Sequence, residues 1–297
     1  MIKKWLGIAL LLGCAPTFPA AHADNLQNHM DSRHESPAPR SGKAPQPQIR
    51  SHIALIFDEQ SQRPLLNKNA DVVAPIASIT KLMTAMVVLD AKLPMDVEVD
   101  VDKDDPTIRK RTRSRLSVGM TFTRTELLKM ALMASENRAA LALARSYPGG
   151  AAATVAAMNA KARELGMLNT RFKDPTGLSK ENVSTANDLA KMVAAARDYA
   201  LINQYSTADA FSIDSQGGRV MRFHNTNPLV KSASWDIGVS KTGFISEAGL
   251  CLVMAANISQ RPVIIVLLNS WGRLTRIGDA NRIRKWMEKT FKPEHHT

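Results

Sequence analysis

The chain has 297 residues, and 44% of them are hydrophobic, so it can build a substantial core in one or two domains. Its formal net charge of +12 at pH 7 favours an anionic polymer or surface as a neighbour. Nucleic acid is nevertheless a poor candidate partner, because the sequence contains no basic helical stretch interleaved with aromatic residues. The basic cluster 109–115 is predicted to be a solvated loop.

The first 23 residues show the order of features that is typical of a secretory signal. Two lysines near the start precede an apolar run over 5–12, and small residues lead up to Ala23. We expect cleavage after Ala23 and export to the periplasm, because the apolar run is shorter than the roughly 20 residues of a spanning helix. No transmembrane anchor is therefore expected. Lipidation at Cys14 stays open as an alternative.

Composition divides the remainder of the chain into a linker, a folded domain and a tail. Residues 24–48 are rich in proline, serine, histidine and arginine and lack apolar periodicity, which predicts a flexible linker. The folded domain is predicted over 49–290, with a tail at 291–297. It begins with paired strands at 52–57 and 64–66.

Apolar periodicity predicts the order of the remaining elements. Helices are expected at 78–89, 123–133, 137–146, 151–165, 185–199 and 276–290. Strands are expected at 237–244, 249–257 and 262–269. Because strands occur at both ends of the domain, we expect an α/β fold of the α+β type. In this fold a mainly antiparallel sheet is flanked by helices, and a helical subdomain at about 97–200 is inserted between its strands.

Few side chains in the folded domain could build a metal site or a disulfide. Cys251 stands alone after signal cleavage and, within the apolar run 250–255, is predicted to be a small buried hydrophobe. His52 and His224 are the only histidines in the predicted domain, which is too few for a metal centre. A G-x-S-x-G motif is also missing, so a Ser-His-Asp hydrolase is disfavoured and no cofactor is expected.

Three short motifs follow one another along the chain: Ser78-Ile79-Thr80-Lys81, Ser135-Glu136-Asn137 and Lys241-Thr242-Gly243. Each is weak evidence alone. Ser-x-x-Lys arises by chance, Ser-x-Asn at a helix boundary is usually a cap, and Lys-Thr-Gly is often a turn. Their contexts agree with one site, because the first opens a predicted helix, the second lies between two helices and the third lies on a strand.

With these motifs the chain resembles the low-molecular-mass penicillin-binding proteins, which are D-alanyl-D-alanine carboxypeptidases and endopeptidases. The resemblance spans 49–289 and includes longer matches over 75–84, 131–140, 175–179 and 184–186. It implies a DD-peptidase/β-lactamase-like fold and a serine acyl-enzyme that cleaves peptidoglycan peptides. Such enzymes are also acylated covalently by β-lactams. The positive charge of the chain suits a cell wall that carries carboxylates.

Residue chemistry and the resemblance together predict how the first two motifs act. Ser78 at a helix start has its hydroxyl and backbone N–H at the positive end of the helix dipole, which favours developing negative charge. Lys81, one turn away, can take the serine proton only when neutral, so burial and cations such as Lys241 must lower its pKa. By resemblance, Ser135 relays the proton to the leaving amine, and Asn137 binds the substrate backbone and holds Lys81.

The third motif is predicted to bind substrate along a strand edge. By resemblance, Lys241 and Thr242 engage the substrate carboxylate or its neighbour. Gly243 leaves room for a peptide to lie against the strand. The resemblance also implies that the backbone N–H of Phe244 is the second oxyanion donor, beside that of Ser78.

Two features favour the endopeptidase branch and cleavage of D-alanyl-diaminopimelyl cross-links. First, family carboxypeptidases commonly carry histidine at the positions where this chain has Phe244 and Thr176. Second, they usually end in an extra β-rich domain and an anchoring helix, whereas this chain stops at Thr297. A carboxypeptidase, a β-lactamase and a non-catalytic β-lactam-sensing protein stay open as alternatives. The β-lactamase is disfavoured because Glu164, the nearest match to a deacylating glutamate, is predicted to be an exposed helix residue.

Overall fold

The computed structural model describes residues 45–102, 114–214 and 220–291. The predicted signal peptide, and most of the linker, of the basic cluster and of the tail, lie outside the described residues. The strands are β1 (Ile53–Asp58), β2 (Arg63–Lys68), β3 (Ala74–Pro75), β4 (Glu98–Asp100), β5 (Thr121–Thr123), β6 (Val183–Ser184), β7 (Ala210–Asp214), β8 (Val220–His224), β9 (Asp236–Ile245), β10 (Gly249–Ile258) and β11 (Arg261–Ser270). The helices are α1 (Thr80–Asp90), α2 (Arg124–Met133), α3 (Asn137–Arg145), α4 (Gly150–Glu164), α5 (Ala186–Ala196), α6 (Ala200–Thr207) and α7 (Thr275–Thr290), with 3-10 turns at Ala77–Ile79 and Pro228–Lys231.

The main sheet joins both ends of the folded chain, as the sequence predicts. Its strand order is β2-β1-β11-β10-β9, and every neighbouring pair is antiparallel. Ser259 and Gln260 form a two-residue connection between β10 and β11, and both have positive φ, which matches the twist of a tight hairpin. β9 is the last strand of this sheet among the described residues, so one of its edges can receive a peptide.

Alternating side chains of the strands pack into two separate cores. On one face, residues such as Leu55, Val253 and Val266 join the cluster formed with the inserted helices. On the other face, residues such as Met254 and Ile265 pack with α7. The sheet is therefore covered on both sides, which explains why its central strands are almost continuously apolar.

Helix α1 lies in the interior, and this corrects the prediction that it buries one face. Every residue from 80 to 88 is buried, because other helices surround α1. Its position fixes the segment that precedes it, which carries Ser78.

Two other elements differ from prediction. The helix expected over 185–199 ends at Ala196, and the separate helix α6 follows it. The β7–β8 hairpin was not predicted, because its strands expose alternate residues and have a weak apolar pattern. Within the described part of the chain, no helix combines the length and apolarity needed to cross a membrane.

Candidate active site

Three chain segments meet beside strand β9 and bring the three motifs together. Ser78 lies in the 3-10 turn before α1, and not in the first turn of the α-helix as predicted. Two glycines allow the neighbouring backbones to approach this turn. A Cβ atom on Gly243 would lie 3.1 Å from the Ser78 backbone nitrogen, and one on Gly177 would lie 2.0 Å from the Ala77 oxygen. Any larger residue at either glycine would displace the serine.

Lys81 directs its amine at the serine hydroxyl. Its Nζ atom lies 2.9 Å from Ser78 Oγ and donates to Asn137 Oδ1 and to the Thr176 carbonyl, each at 2.7 Å. The Asn137 Oδ1 and the Thr176 carbonyl oxygen have no proton to donate, so they can accept the two N–H groups of a neutral amine. The nitrogen lone pair is then available to accept the serine proton.

Because Lys81 is buried, a substantial fraction of its amine is neutral near pH 7. Desolvation of the amine lowers the pKa of Lys81 to about 7, although the negative charges of Asp174 and Glu136 oppose this shift. The pKa of Lys241 also lies well below its ordinary value, first because the side chain is buried and then because Lys81 and Arg276 are nearby cations. Burial is thus what lowers the pKa of Lys81, and the expected contribution of Lys241 to that shift is not seen, whereas the charge of Lys81 does lower the pKa of Lys241.

The second motif lies at the junction of α2 and α3. Ser135 has a φ of 59°, and its Oγ accepts a 2.9 Å hydrogen bond from Lys241 Nζ. The cap of α3 is the side chain of Glu136, which accepts from the Arg138 backbone N–H. The alternative interpretation of Ser-x-Asn as a helix cap thus applies to neither Ser135 nor Asn137.

The third motif lies along β9, at the mouth of the site. Thr242 Oγ1 donates to Thr226 Oγ1 at 2.6 Å, and the Lys241 amine also donates to the Thr242 carbonyl at 2.9 Å. The side chain of Phe244 is 61% exposed. The structure therefore brings together all eight residues that the motifs and the resemblance singled out: Ser78, Lys81, Ser135, Asn137, Lys241, Thr242, Gly243 and Phe244.

The sequence interpretation missed Asp174, which orders the loop that holds Lys81. Its carboxylate accepts hydrogen bonds from the backbone and hydroxyl of Thr176, both at 2.6 Å, and from the backbones of Gly177 and Ser179 at 2.8 and 2.7 Å. These bonds fix the Thr176 carbonyl that receives the Lys81 amine. An aspartate at the start of a Pro-Thr-Gly turn was the available signal, since aspartate often bonds backbone groups two residues further on.

Arg276, in the first turn of α7, was also missed. Its Nε and Nη1 atoms are buried and have no hydrogen-bond partner among the described residues. Its charge also lowers the pKa of Lys241. Unpaired buried donors beside a second cation form a receptor for an anionic group. No local pattern in the sequence distinguishes this arginine from the many others.

Two other reactive side chains that the sequence raised, Glu164 and Cys251, have no part in the site. Glu164 is exposed at the end of α4 and pairs with Lys161 at 3.1 Å, so it cannot activate a water at Ser78. Cys251 is fully buried, as predicted, and burial raises the pKa of its thiol to about 11. The thiol therefore stays protonated.

Comparison with known sequences identifies one family and several close relatives. The D-alanyl-D-alanine carboxypeptidase family, peptidase S11, matches residues 40–272. A D-alanyl-D-alanine endopeptidase of Pseudomonas aeruginosa is 46% identical over 254 residues, which cover 85% of this chain and 82% of the relative. One of Escherichia coli K12 is 47% identical over 246 residues, which cover 82% of this chain and 79% of the relative.

Solved structures give the same fold. The crystal structure of the Streptomyces K15 DD-transpeptidase matches with a TM-score of 0.75 and 29% identity, covering 82% of this chain and 98% of that one. Penicillin-binding protein D2 of Listeria monocytogenes, in its ampicillin-bound form, matches with a TM-score of 0.71 and 27% identity, covering 82% and 99%. The fold class expected from the sequence is confirmed.

Proposed function

Because the chain belongs to the D-alanyl-D-alanine carboxypeptidase family of serine peptidases, we propose that it hydrolyses D-alanyl bonds of peptidoglycan through an acyl-enzyme on Ser78. The observation that carries this proposal is the 2.9 Å contact of Ser78 Oγ with an amine whose pKa is lowered to about 7. A nucleophile beside a partly neutral base is the arrangement that acyl transfer requires.

Acylation begins when the neutral amine of Lys81 accepts the proton of Ser78 Oγ while that oxygen attacks the D-alanyl carbonyl carbon. The new C–O bond moves negative charge onto the carbonyl oxygen. Backbone N–H groups of Ser78 and Phe244 would receive this charge. The close approach of Gly243 to the Ser78 nitrogen supports this pairing, because it brings β9 against the serine backbone.

Collapse of the tetrahedral intermediate breaks the C–N bond, and the leaving nitrogen needs a proton. Ser135 would donate its hydroxyl proton to that nitrogen and recover one from a lysine ammonium. The 2.9 Å contact between Ser135 Oγ and Lys241 Nζ supports this relay. Water then attacks the ester, with Lys81 again as the base, and hydrolysis releases the acyl product and restores Ser78 Oγ–H.

Arg276 and Thr242 would bind the carboxylate on the carbon next to the leaving nitrogen. D-alanine and a diaminopimelyl residue both carry a carboxylate at that position. The two buried guanidinium nitrogens without partners support this role, since a carboxylate can satisfy both.

We propose that the bond cleaved is the D-alanyl-diaminopimelyl cross-link. The relatives in Pseudomonas aeruginosa and Escherichia coli that are 46% and 47% identical are named endopeptidases. The Thr176 hydroxyl donates to Asp174 and accepts from the Leu178 backbone N–H, so its hydrogen bonds are made within its own loop. Phe244 adds an exposed apolar ring at the mouth. A pocket with these two residues offers little that is specific for a terminal D-alanine.

We further propose that the protein is exported and works in the periplasm, and that β-lactams acylate Ser78. The lysines and apolar run before Ala23 support export. The ampicillin-bound form of the structurally similar Listeria protein supports acylation by β-lactams. The excess of lysine and arginine over aspartate and glutamate would concentrate the enzyme on an anionic wall.

The proposal is tested by digesting purified peptidoglycan with the mature protein and with Ser78→Ala. We expect the wild type to convert cross-linked dimers into monomers and to bind labelled penicillin covalently. Ser78→Ala should lose both activities while it keeps its thermal unfolding midpoint, because a single hydroxyl attacks both carbonyls. Penicillin labelling that survives in Ser78→Ala would exclude this serine as the nucleophile.

A further inference from the structure

The turn between β11 and α7 exposes two large apolar side chains. Trp271 is 65% exposed and Leu274 is 70% exposed. The turn is nevertheless well held, because the Thr275 backbone N–H donates to the Gly272 carbonyl at 3.0 Å and its hydroxyl donates to the Trp271 carbonyl. The two apolar groups are thus presented to solvent from a fixed backbone, which lowers the entropy cost of binding.

Strand register places this turn near the candidate active site. Leu250 pairs with Phe244 on one side and with Ser270 on the other. Ser270 therefore lies two strand spacings, about 10 Å, from Phe244. Phe244 follows Gly243, whose backbone lies against the nitrogen of Ser78.

Exposed apolar residues on a soluble domain are usually scattered, and a cluster of them indicates a binding surface. Among the described residues, the other large exposed hydrophobic residues are valines and Leu168, which lie on other elements. Phe244, Trp271 and Leu274 are the three that gather at one end of the sheet.

The same turn is cationic. Arg273 lies between the two apolar residues and lines a groove of about 390 Å³ with Leu274, Arg50 and Arg282. Asp279 pairs with Arg282, whereas neither Arg273 nor Arg50 forms an ion pair with a described residue. The groove therefore combines an apolar wall with uncompensated positive charge, and its chemical complement is an amphipathic anion.

We propose that the Trp271–Leu274 turn is a subsite for the stem peptide that leaves when a cross-link is cut. This inference rests on the proposed endopeptidase function. A carboxypeptidase releases one alanine, whereas an endopeptidase releases a whole peptide through its diaminoacyl residue. That peptide has methyl and methylene groups for Trp271 and Leu274 and carboxylates for Arg273. Arg276 is proposed to hold the carboxylate nearest the cut bond, and it lies in the first turn of α7, directly after this turn. The turn therefore adjoins the place where the leaving peptide begins.

The test compares Trp271→Ala/Leu274→Ala with the wild type on three substrates: a sugar-free cross-linked peptide dimer, a pentapeptide monomer and a labelled penicillin. We expect kcat/KM for the dimer to fall about tenfold, which corresponds to the loss of two partly buried apolar contacts. Monomer cleavage and penicillin acylation should stay within twofold of wild type, because neither ligand reaches the turn. Leu168→Ala, which truncates a leucine 82% exposed on another loop, is the matched control and should change none of the rates.

The outcomes separate this subsite from the proposed function. If the wild type cleaves the dimer and the double variant does so equally well, the subsite is wrong and the function stands. A uniform loss on all three substrates would also overturn it, because the turn would then support the whole site. Repeating the comparison with a sugar-bearing dimer adds one outcome: a loss confined to that substrate would overturn the peptide subsite and assign the turn to glycan. If the wild type releases D-alanine from the monomer but leaves the dimer intact, the endopeptidase assignment and the subsite both fail, while hydrolysis of D-alanyl bonds at Ser78 stands.

Discussion

The rate of penicillin acylation should fall tenfold for each pH unit below about 7. Acylation requires Lys81 with a free lone pair, and burial lowers the pKa of this amine to about 7. As the pH drops through that value, protonation removes the base, so the acid limb of the profile reports the pKa of Lys81. With the ordinary pKa of lysine, the rate would instead keep rising tenfold per pH unit up to about pH 10.

The structure sets the size of this effect. At pH 7 an amine with a pKa of about 7 is half neutral, whereas one at 10.5 is neutral in roughly one molecule in 3,000. Burial therefore increases the fraction of active base more than a thousandfold. The whole of this gain depends on keeping water away from Lys81, which is 1% exposed.

The assay measures the second-order acylation rate with labelled penicillin between pH 5 and 9, for the wild type and for Asp174→Asn. The carboxylate of Asp174 raises the pKa of Lys81 against the effect of burial, so removing its charge should move the acid limb to lower pH. A purely structural role for Asp174 predicts a slower enzyme with an unshifted limb. A wild-type profile that is flat between pH 5.5 and 8 would exclude Lys81 as a base with a pKa of about 7, and an Asp174→Asn limb that moves to higher pH would exclude the proposed effect of the Asp174 charge.

Two further substitutions test the packing and the anion receptor. Gly177→Ala should lower stability by roughly 2–5 kcal/mol in thermal unfolding and slow acylation at least tenfold, because its φ is +86° and the new Cβ would lie 2.0 Å from Ala77 O. An unchanged free energy of unfolding and an unchanged acylation rate would show that the 3-10 turn carrying Ser78 can shift without loss of function. Arg276→Gln should raise KM for carboxylate-bearing substrates about tenfold or more with a smaller change in kcat, since a charge-assisted contact is lost. Equal KM values for carboxylate and carboxamide substrates in the wild type would argue against the receptor.

The main sheet and its final helix were predictable because their signals are local. β9, β10 and β11 are apolar runs bounded by turn residues, and each lies within a residue or so of its predicted range. The β7–β8 hairpin lacks that signal. Its aromatic residues Phe211 and Phe223 are covered by the distant cations Lys129 and Arg115, and sequence periodicity does not show such contacts.

The break between α5 and α6 had no sequence signal either. Neither glycine nor proline occurs between Ala196 and Ala200, and the chain turns there while Tyr199 is tied to Asp90 through a 2.7 Å hydrogen bond. A contact between residues 109 positions apart can override a helical pattern.

The residues of the candidate site also fall into those that local sequence motifs predict and those that only the folded structure reveals. The three motifs could be found in the sequence because each is short and has a fixed spacing. Arg276 could not, because the fold of the sheet brings the start of α7 beside Lys241 on β9. The packing of Gly177 against Ala77 likewise joins segments that are far apart in the chain.

The choice between endopeptidase and carboxypeptidase is decided by the initial rates of two reactions of the mature wild-type enzyme. One substrate is a dimeric muropeptide with a D-alanyl-diaminopimelyl cross-link, and the other is the pentapeptide monomer, supplied at equal concentration and separated by mass after short incubations. We expect faster cleavage of the dimer, with Ser78→Ala inactive on both substrates. Faster release of D-alanine from the monomer would contradict the endopeptidase assignment and identify a carboxypeptidase.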